Sequence, residues 1–225
     1  PPGTSRPAPH YTTPNPSNVR MMKTIEILFW IALAIVFYTY AGYGIFLYLL
    51  VRVKEALCKR TRIELPEELP EVTLLIAAYN EEAIIADKMR NCRALDYPAG
   101  RLKIVWVTDG SNDRTNELLT GYPEVTVLFA PERRGKTAAL NRGVPLVTTP
   151  LVVFTDANTM LGPEAIREII RPFGDSKVGC VAGEKRVVQS REQAAASTEG
   201  IYWKYESKLK EWDDRLYTAV GAAGE

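Results

Sequence analysis

The residues best suited to chemistry in this chain are acidic and amide side chains that follow three apolar segments. Asp109 begins the run Asp-Gly-Ser-Asn-Asp, Asp156 begins Asp-Ala-Asn-Thr, and Asn80 is followed by two glutamates. A carboxylate directly after an apolar run is costly inside a sheet, so Asp156 indicates a solvated strand end that faces a ligand. The segment at Asn80 also fits a helix N-cap, and the run from Asp109 also fits a turn that ends in a cap.

A basic segment between two of these sites is suited to holding an anion. It reads Glu-Arg-Arg-Gly-Lys-Thr, and its Lys136 stands where a helix is predicted to begin. An ammonium group at a helix N-terminus favours a phosphate, although the same residues fit a solvated surface turn. The segment is not a P-loop, because Ala130 stands where the first glycine is required, and the chain has no GxGxxG dinucleotide motif.

Composition excludes several catalytic classes. The 225 residues include 28 Lys and Arg, 27 Asp and Glu and a single histidine, His10, for a net charge of +1. That balance gives no electrostatic drive toward nucleic acid, and one histidine in a proline-rich segment excludes triads and zinc sites built on histidine. The three cysteines lie far apart and fit a reducing compartment. Carboxylates, amines, hydroxyls or the backbone must carry any chemistry.

The polar residues need a scaffold that brings them to one edge. The strand-like runs are rich in β-branched residues and cover residues 72–78, 103–109, 125–130, 151–157 and 178–183. The helical patterns between them cover residues 82–94, 113–120, 137–144 and 163–171. Apolar strands joined by helices predict an α/β fold with a mostly parallel sheet covered on both faces. Ligands bind at the carboxyl ends of such strands, which is where the polar residues lie.

An apolar segment near the N-terminus predicts a membrane anchor. Residues 27–51 contain no charged side chain, and as a helix they exceed the hydrocarbon core of about 30 Å. We expect a transmembrane helix over residues 25–53, in preference to a buried core helix or a signal peptide. Basic residues are more numerous after this segment than before it. The positive-inside rule therefore predicts a single-pass protein of the cell membrane with the following domain in the cytoplasm.

The segments around this helix are assigned as follows. Residues 1–20 are rich in proline and predict a disordered tail, with translation starting at the methionine pair that follows. Residues 54–71 predict a juxtamembrane helix that runs into a linker, and residues 72–225 predict one domain. Within it, residues 193–217 have helical apolar spacing. That helix is expected to cover a core, and the alternative is an aromatic face on a membrane interface or acceptor site.

Four motifs together resemble those of a known enzyme family. IAAYNEE, TDGSNDRT, RRGKTAALNRGV and VVFTDANT, in this order, are similar to motifs of the inverting family 2 glycosyltransferases with the GT-A fold. The similarity covers about residues 71–185, and the apolar helix before it matches membrane-bound synthases that make cellulose, hyaluronan, chitin and poly-N-acetylglucosamine. The resemblance implies polysaccharide biosynthesis. In it, a sugar passes from a nucleoside diphosphate sugar, usually a UDP-sugar, to a glycan or lipid acceptor at the cytoplasmic face.

The resemblance also implies donor-binding residues. Tyr79 and Glu81 would lie near the nucleotide base and ribose. Asp109 would accept a hydrogen bond from the base, and Lys136 would lie near the diphosphate. Ala77 belongs to the same substrate-binding set, at a position where the family usually has proline.

A metal site is implied at the family's DxD motif, whose ends are Asp156 and Asn158. Asp156 would bind both the donor and Mg²⁺ or Mn²⁺, because a hard cation with oxygen ligands stabilises a departing diphosphate. Asn158 stands where the family has a second aspartate, so one negative charge is lost and the expected metal affinity is lower. Thr108 likewise replaces the first aspartate of the family's DDGS motif.

The catalytic base stays unassigned within the sequence. The family's acidic base motif and the QxxRW motif of its processive members follow later than residue 223, so we expect the base beyond Glu225. Residues 221–225 resemble the small-residue loop that precedes the acceptor region. A non-catalytic nucleotide-sugar-binding or scaffolding membrane protein is the alternative. A sugar-phosphate nucleotidyltransferase is disfavoured, because its GxGxRL segment is absent after the first strand.

Overall fold

A computed structural model of the chain describes residues 16–58, 63–184 and 197–218. The chain divides into two compact units. A helical unit comprises Pro1–Lys59 and Arg191–Val220, and a sheet unit comprises Arg60–Ser190 and Gly221–Glu225. Four predictions lie wholly or partly outside the described residues. They are the disordered tail up to residue 15, residues 59–62 of the juxtamembrane segment, the start of the helix predicted at residue 193, and the small-residue loop at residues 221–225.

The helical unit begins with a long apolar helix. Helix α1 (Pro16–Phe37) continues through one π-helical turn (Tyr38–Gly42) into α2 (Tyr43–Leu57). The stretch Val19–Leu57 has 39 residues and is long and apolar enough to cross a bilayer, by length and composition. The helix extends past both ends of the predicted span and begins inside the segment for which disorder was expected. Adding residues to a formed helix costs little, which explains the extension.

Helix α7 (Ser197–Leu216) packs alongside α2. Three residues on one stripe of α2 are buried: Gly44, Leu47 and Val51. Near the end of α2, the ammonium of Lys54 donates to the backbone carbonyls of Arg215 and Leu216 at 3.0 and 2.7 Å. These bonds satisfy acceptors that the C-terminus of a helix leaves open. The predicted helix is therefore confirmed over its described part, with α2 as a packing partner.

The sheet unit is built on four parallel strands in the order β3-β2-β1-β4. They are β1 (Val72–Ala78), β2 (Leu102–Asp109), β3 (Val125–Ala130) and β4 (Leu151–Asp156). Each bound agrees with the sequence prediction to within one residue, because the apolar β-branched runs are short and sharply delimited. The predicted α/β fold with a parallel sheet is confirmed.

Helices cover both faces of this sheet. They are α3 (Ile85–Arg93), α4 (Thr115–Leu119), α5 (Lys136–Gly143) and α6 (Ala165–Ile170). Successive side chains of a strand point to opposite faces. Leu74, Ile76 and Trp106 therefore join the larger apolar cluster with residues of α3, α4 and α6. Leu75 and Val107 join a smaller cluster with α5 on the other face.

One predicted strand is wrong. Residues 178–183 form no strand, and among the described residues β4 pairs with β1 alone. Most residues of this segment are glycine, alanine or cysteine, so it has little apolar surface to bury against the edge of the sheet. Phe154, on β4, accordingly remains 45% exposed.

The parallel register aligns the strand ends. Ala77 pairs with Asp156 of β4 and with Val107 of β2, and Asp109 pairs with Ala130 of β3. The carboxyl ends of all four strands therefore share one edge of the sheet. The candidate site residues lie at this edge or in the segments that follow it.

We expect Leu74→Ala to lower the free energy of unfolding by about 2 to 5 kcal/mol, because this fully buried side chain leaves a cavity in the larger cluster. Leu146→Ala removes the same atoms from a residue that is 59% exposed and should change this free energy by less than about 0.5 kcal/mol. Urea unfolding of the detergent-solubilised chain measures both. Equal losses in the two variants would contradict the core assignment.

Candidate functional site

Asp109, the last residue of β2, fastens the segment that precedes α5. Its Oδ2 accepts the backbone N–H groups of Arg134 and Gly135 at 2.8 and 2.7 Å. Its Oδ1 accepts a bond from Nη1 of Arg142 at 3.3 Å. The other terminal nitrogen of Arg142 donates to the backbone carbonyl of Thr108 at 2.9 Å. One carboxylate thus joins the end of β2 to both the loop and the helix that follows it.

Asp109 stays ionised although it is only 3% exposed. Burial acts to raise its pKa, because it removes the hydration that stabilises the charged form. The backbone bonds from Arg134 and Gly135, together with the guanidinium of Arg142, outweigh burial and hold the pKa of Asp109 below its ordinary value. The carboxylate is therefore a fixed negative charge at the edge of the sheet.

Glycine allows the segment before α5 to approach β2 closely. Gly110 has a φ of +72°, and a Cβ at this position would lie 2.6 Å from the backbone nitrogen of Arg133. The guanidinium carbon of Arg133 lies 3.9 Å from the centroid of the Tyr79 ring, which is a cation–π contact. We call residues 133–136 the basic loop. Through Arg133 it covers one face of the candidate base-binding tyrosine.

Lys136 connects the basic loop to β4. Its Nζ lies 2.8 Å from Oδ1 and 3.0 Å from Oδ2 of Asp156. The side chain of Asp156 is 25% exposed, which fits the solvated strand end that the sequence predicts. The structure therefore brings the candidate diphosphate-binding lysine into direct contact with the candidate metal ligand.

Two asparagines hold the loop after β1 to the loop after β2. Nδ2 of Asn80 donates to Oδ1 of Asn112 at 2.8 Å, and the backbone N–H of Asn112 donates to Oδ1 of Asn80 at 2.9 Å. Asn80 has a φ of +53°, in the left-handed region that asparagine tolerates better than most residues. Because α3 begins only at Ile85 and has no side-chain cap, the N-cap interpretation of Asn80 is wrong.

Two acidic side chains near Asn80 and Asn112 differ in their hydrogen bonds and in their pKa. Asp113 accepts the backbone N–H groups of Thr115 at 3.0 Å and Glu82 at 3.1 Å, so the predicted turn is stabilised by its side chain. The N-cap residue of α4 is Arg114, which makes no side-chain cap bond, so the predicted capping role of Asp113 is wrong. Burial raises the pKa of Glu81, and the neighbouring negative charges of Asp156 and Asp113 raise it further. Glu81 and Asp156 therefore lie close enough at this edge to repel one another.

Ala77 and Asn158 complete the predicted set. Ala77 is half-buried in β1 beside Asp156, whereas Asn158 is exposed just after β4. Within the described ranges, no three His, Cys, Asp or Glu side chains lie close enough together to hold a metal ion. Asp156 and Asn158, the candidate metal ligands from the sequence, lie two residues apart at the end of β4.

Sequence reasoning missed two residues of α3 that contact the segment after β4. Lys88 is 0% exposed, and its Nζ donates to Oγ1 of Thr155 at 3.2 Å and to the carbonyl of Thr159. Burial lowers the pKa of Lys88, while the charges of Cys92 and Asp156 act in the opposite direction. An ammonium group thus lies beneath the acidic end of β4.

Asn91, one turn further along α3, contacts the same segment. Its Nδ2 donates to the carbonyl of Leu161 at 2.7 Å, and its Oδ1 accepts the N–H of Leu161 at 2.9 Å. A signal for Lys88 was present in the sequence, because it shares one face of the helix with Ile85, Met89 and Cys92. A lysine inside an apolar stripe is unusual unless its charge has partners.

Known proteins are similar to this chain in sequence. The family model described as Glycosyl transferase family 2 matches residues 73–223. Beta-monoglucosyldiacylglycerol synthase of Trichormus variabilis is 31% identical over 172 residues, which cover 72% of this chain and 35% of that protein. Poly-beta-1,6-N-acetyl-D-glucosamine synthase of Staphylococcus aureus is 33% identical over 148 residues, 64% of this chain and 35% of that protein. The chain spans about a third of the length of these relatives.

A solved structure is also similar. It is the mannosyltransferase PcManGT from Pyrobaculum calidifontis in complex with GDP-Man and Mn²⁺. The TM-score is 0.56 at 31% sequence identity, and the match covers 69% of this chain and 47% of that one. This similarity, together with the family match, confirms the GT-A-like fold expected from the sequence motifs.

We expect Asp109→Asn to lower the free energy of unfolding by about 2 kcal/mol at neutral pH, because it removes a charged acceptor from two backbone N–H groups. The folded-state pKa of Asp109 is lowered, so this stabilisation is complete above the unfolded pKa of about 3.9 and is lost as the pH falls through the folded pKa. The difference between wild type and variant should therefore shrink below about pH 4.

Chemical unfolding at several pH values measures that difference. The control is Asp87→Asn, which changes an exposed aspartate of α3 paired with Arg90 and should alter stability by no more than about 1 kcal/mol. A stability difference for Asp109→Asn that is the same at every pH would show that its charge is not what holds the loop.

Proposed function

Because the chain belongs to glycosyl transferase family 2, we propose that it binds a nucleoside diphosphate sugar at the carboxyl edge of its sheet and takes part in inverting transfer of the sugar to a glycan or lipid acceptor. The observation that carries the proposal is the set of contacts made by the basic loop. It contacts side chains that follow or end three different strands: Tyr79, Asp109 and Asp156. Such an arrangement suits a ligand with a base at one end and a diphosphate at the other.

Lys136 and the N-terminus of α5 would bind the diphosphate. The first backbone N–H groups of a helix have no partner within the helix and, with an ammonium group beside them, favour an anion. The ion pair between Lys136 and Asp156 supports this role, because it keeps the ammonium within reach of a phosphate that approaches the end of β4. Lys136 would then neutralise part of the charge on the leaving group.

The oxygen atoms after β4 fit Mg²⁺ or Mn²⁺. Such cations take one or two protein carboxylates together with substrate phosphates and water, so Asp156 with the amide oxygen of Asn158 is a sufficient protein contribution. When bound, the cation would stabilise the negative charge that grows on the departing diphosphate. The similar mannosyltransferase is a complex with Mn²⁺, which supports the same choice of metal here.

The base and ribose would lie between Tyr79, Glu81 and Asp109. The Tyr79 residue is 37% exposed and offers an aromatic face. Oδ2 of Asp109 already accepts two backbone N–H groups, whereas Oδ1 accepts one bond at 3.3 Å. Oδ1 therefore keeps capacity for a donor on the base. A UDP-sugar is the first donor to test, and a GDP-sugar is the second because the similar mannosyltransferase holds GDP-Man.

The apolar helix would anchor the chain in the cell membrane as a single pass, with the sheet unit in the cytoplasm. Val19–Leu57 is long enough for this, and more basic residues follow the apolar segment than precede it. A membrane anchor supports a lipid acceptor or a growing glycan, and the two curated relatives are named for a glycolipid and for a polysaccharide.

Asp156→Ala should weaken nucleotide binding in the presence of Mn²⁺ at least tenfold, since it removes the carboxylate that would hold the cation. Asp87→Ala, at an exposed position of α3, should leave binding unchanged. Isothermal titration of the purified chain with UDP, GDP and TDP, each with and without Mn²⁺, measures the effect and ranks the bases. The proposal fails if no nucleotide binds in a metal-dependent way, or if Asp156→Ala binds as tightly as wild type.

The membrane anchor has its own test. Leu33→Arg combined with Val36→Arg places two charges in the middle of the apolar helix, at a cost of about 2.5 to 3.5 kcal/mol each. We expect most of the expressed chain to leave the membrane fraction on extraction with alkaline carbonate. Val53→Arg combined with Leu57→Arg adds the same charges near the helix end, where long side chains reach water, and should stay membrane-bound. Full retention of the first variant would contradict the anchor.

A further inference from the structure

We propose that Lys88 is a positioning residue that fixes the turn after β4 and thereby sets the geometry of Asp156 and Asn158. Its consequence for ligand binding rests on the proposed function, whereas its effect on the turn does not. Lys88 lies in α3, on a different element from any residue that the sequence motifs single out. The inference follows from the contacts and burial of its ammonium group.

The ammonium contacts both sides of the turn that carries Asp156. Nζ of Lys88 donates to Oγ1 of Thr155 at 3.2 Å, directly before the aspartate, and to the carbonyl of Thr159 three residues after it. Within the turn, the backbone N–H of Thr159 donates to the carbonyl of Asp156 at 3.3 Å. Three hydrogen bonds therefore close the four-residue segment that presents both candidate metal ligands.

The burial of Lys88 argues against a purely space-filling role. Its 0% exposure places a charged group among the apolar residues of α3, where methionine or leucine would pack without any loss of hydration. Among the described residues, no carboxylate lies close enough to form an ion pair with it. The bonds to Thr155 and Thr159 replace part of its lost hydration, and both bonds are made to the turn.

A second residue of α3 holds the chain just after this turn. The same segment is held further along by Asn91, whose side chain bonds both backbone groups of Leu161. Asn91 is neutral, and its contact lies two residues beyond the Asp156–Thr159 turn. A variant of Asn91 is therefore a matched control for the variants of Lys88.

The experiment compares Lys88→Met, Lys88→Gln and Asn91→Leu in the full chain. Methionine keeps the length and packing of the lysine but removes its donors and charge, and glutamine keeps a donor without the charge. Amide hydrogen exchange of a peptide that covers residues 156–160, and therefore excludes the amide of Leu161, reports the turn directly. Titration of Mn²⁺ at saturating nucleotide reports the candidate ligands, and nucleotide affinity without metal serves as the reference.

We expect at least tenfold faster exchange of this peptide in Lys88→Met, at least tenfold weaker Mn²⁺ binding, and unchanged nucleotide affinity without metal. Lys88→Gln should give intermediate values. Asn91→Leu should speed exchange around Leu161 but weaken Mn²⁺ binding less than threefold. If Lys88→Met does not fold, the measurements on Lys88→Gln alone test the proposal. Wild-type exchange in the folded variants, or equal losses of Mn²⁺ binding in the Lys88 and Asn91 variants, would overturn the assignment.

The two proposals fail separately. If wild type binds no nucleotide with Mn²⁺, the proposed function is wrong, and the exchange measurement still decides whether Lys88 holds the turn. If wild type binds nucleotide and Mn²⁺ but the Lys88 variants do so equally well with unchanged exchange, the proposed function stands and the positioning role of Lys88 is wrong.

Discussion

The carboxylate of Asp109 accepts two successive backbone N–H groups, and the geometry of the site depends on these bonds. A buried carboxylate is stable only where donors replace its lost hydration, so the loop that supplies those donors has little freedom to move away. The neighbours of those two donors are Arg133 and Lys136, and they contact Tyr79 and Asp156. Fixing the backbone at residues 134 and 135 therefore also positions Arg133 at the end of β1 and Lys136 at the end of β4.

The edge of the sheet is also held from the helices beneath it. On α3, Lys88 and Asn91 bond the segment after β4, and the loop after β1 is tied to the loop after β2 by Asn80 and Asn112. Polar groups that bond across elements in this way leave the strand-end loops few alternative conformations. At the proposed nucleotide-sugar site, this rigidity would reduce the reorganisation that binding requires.

Charges of both signs lie at this edge of the sheet. Asp156 is paired with Lys136 and lies close enough to Glu81 to raise its pKa. The proposed diphosphate and divalent cation would bring both signs of charge, and their binding would exchange the Lys136–Asp156 ion pair for new ones. That exchange is compatible with membership of glycosyl transferase family 2 and with a GT-A-like sheet. The chain spans about a third of its curated relatives, and the sheet unit is the part that carries these contacts.

The sequence by itself determined the four strands, the parallel sheet and the motif residues at its edge, because each strand is a short apolar run whose pattern is local. Only the tertiary structure decided features that depend on contacts between distant segments. Residues 178–183 have strand-like spacing but too little apolar surface to pair with β4, and Asn80 bonds a neighbouring loop instead of capping α3. Lys88 acquires its role only when α3 packs against the turn after β4, a contact between residues 67 and 71 positions apart. Local patterns cannot specify such pairings, since their energy comes from groups that meet only in the folded chain.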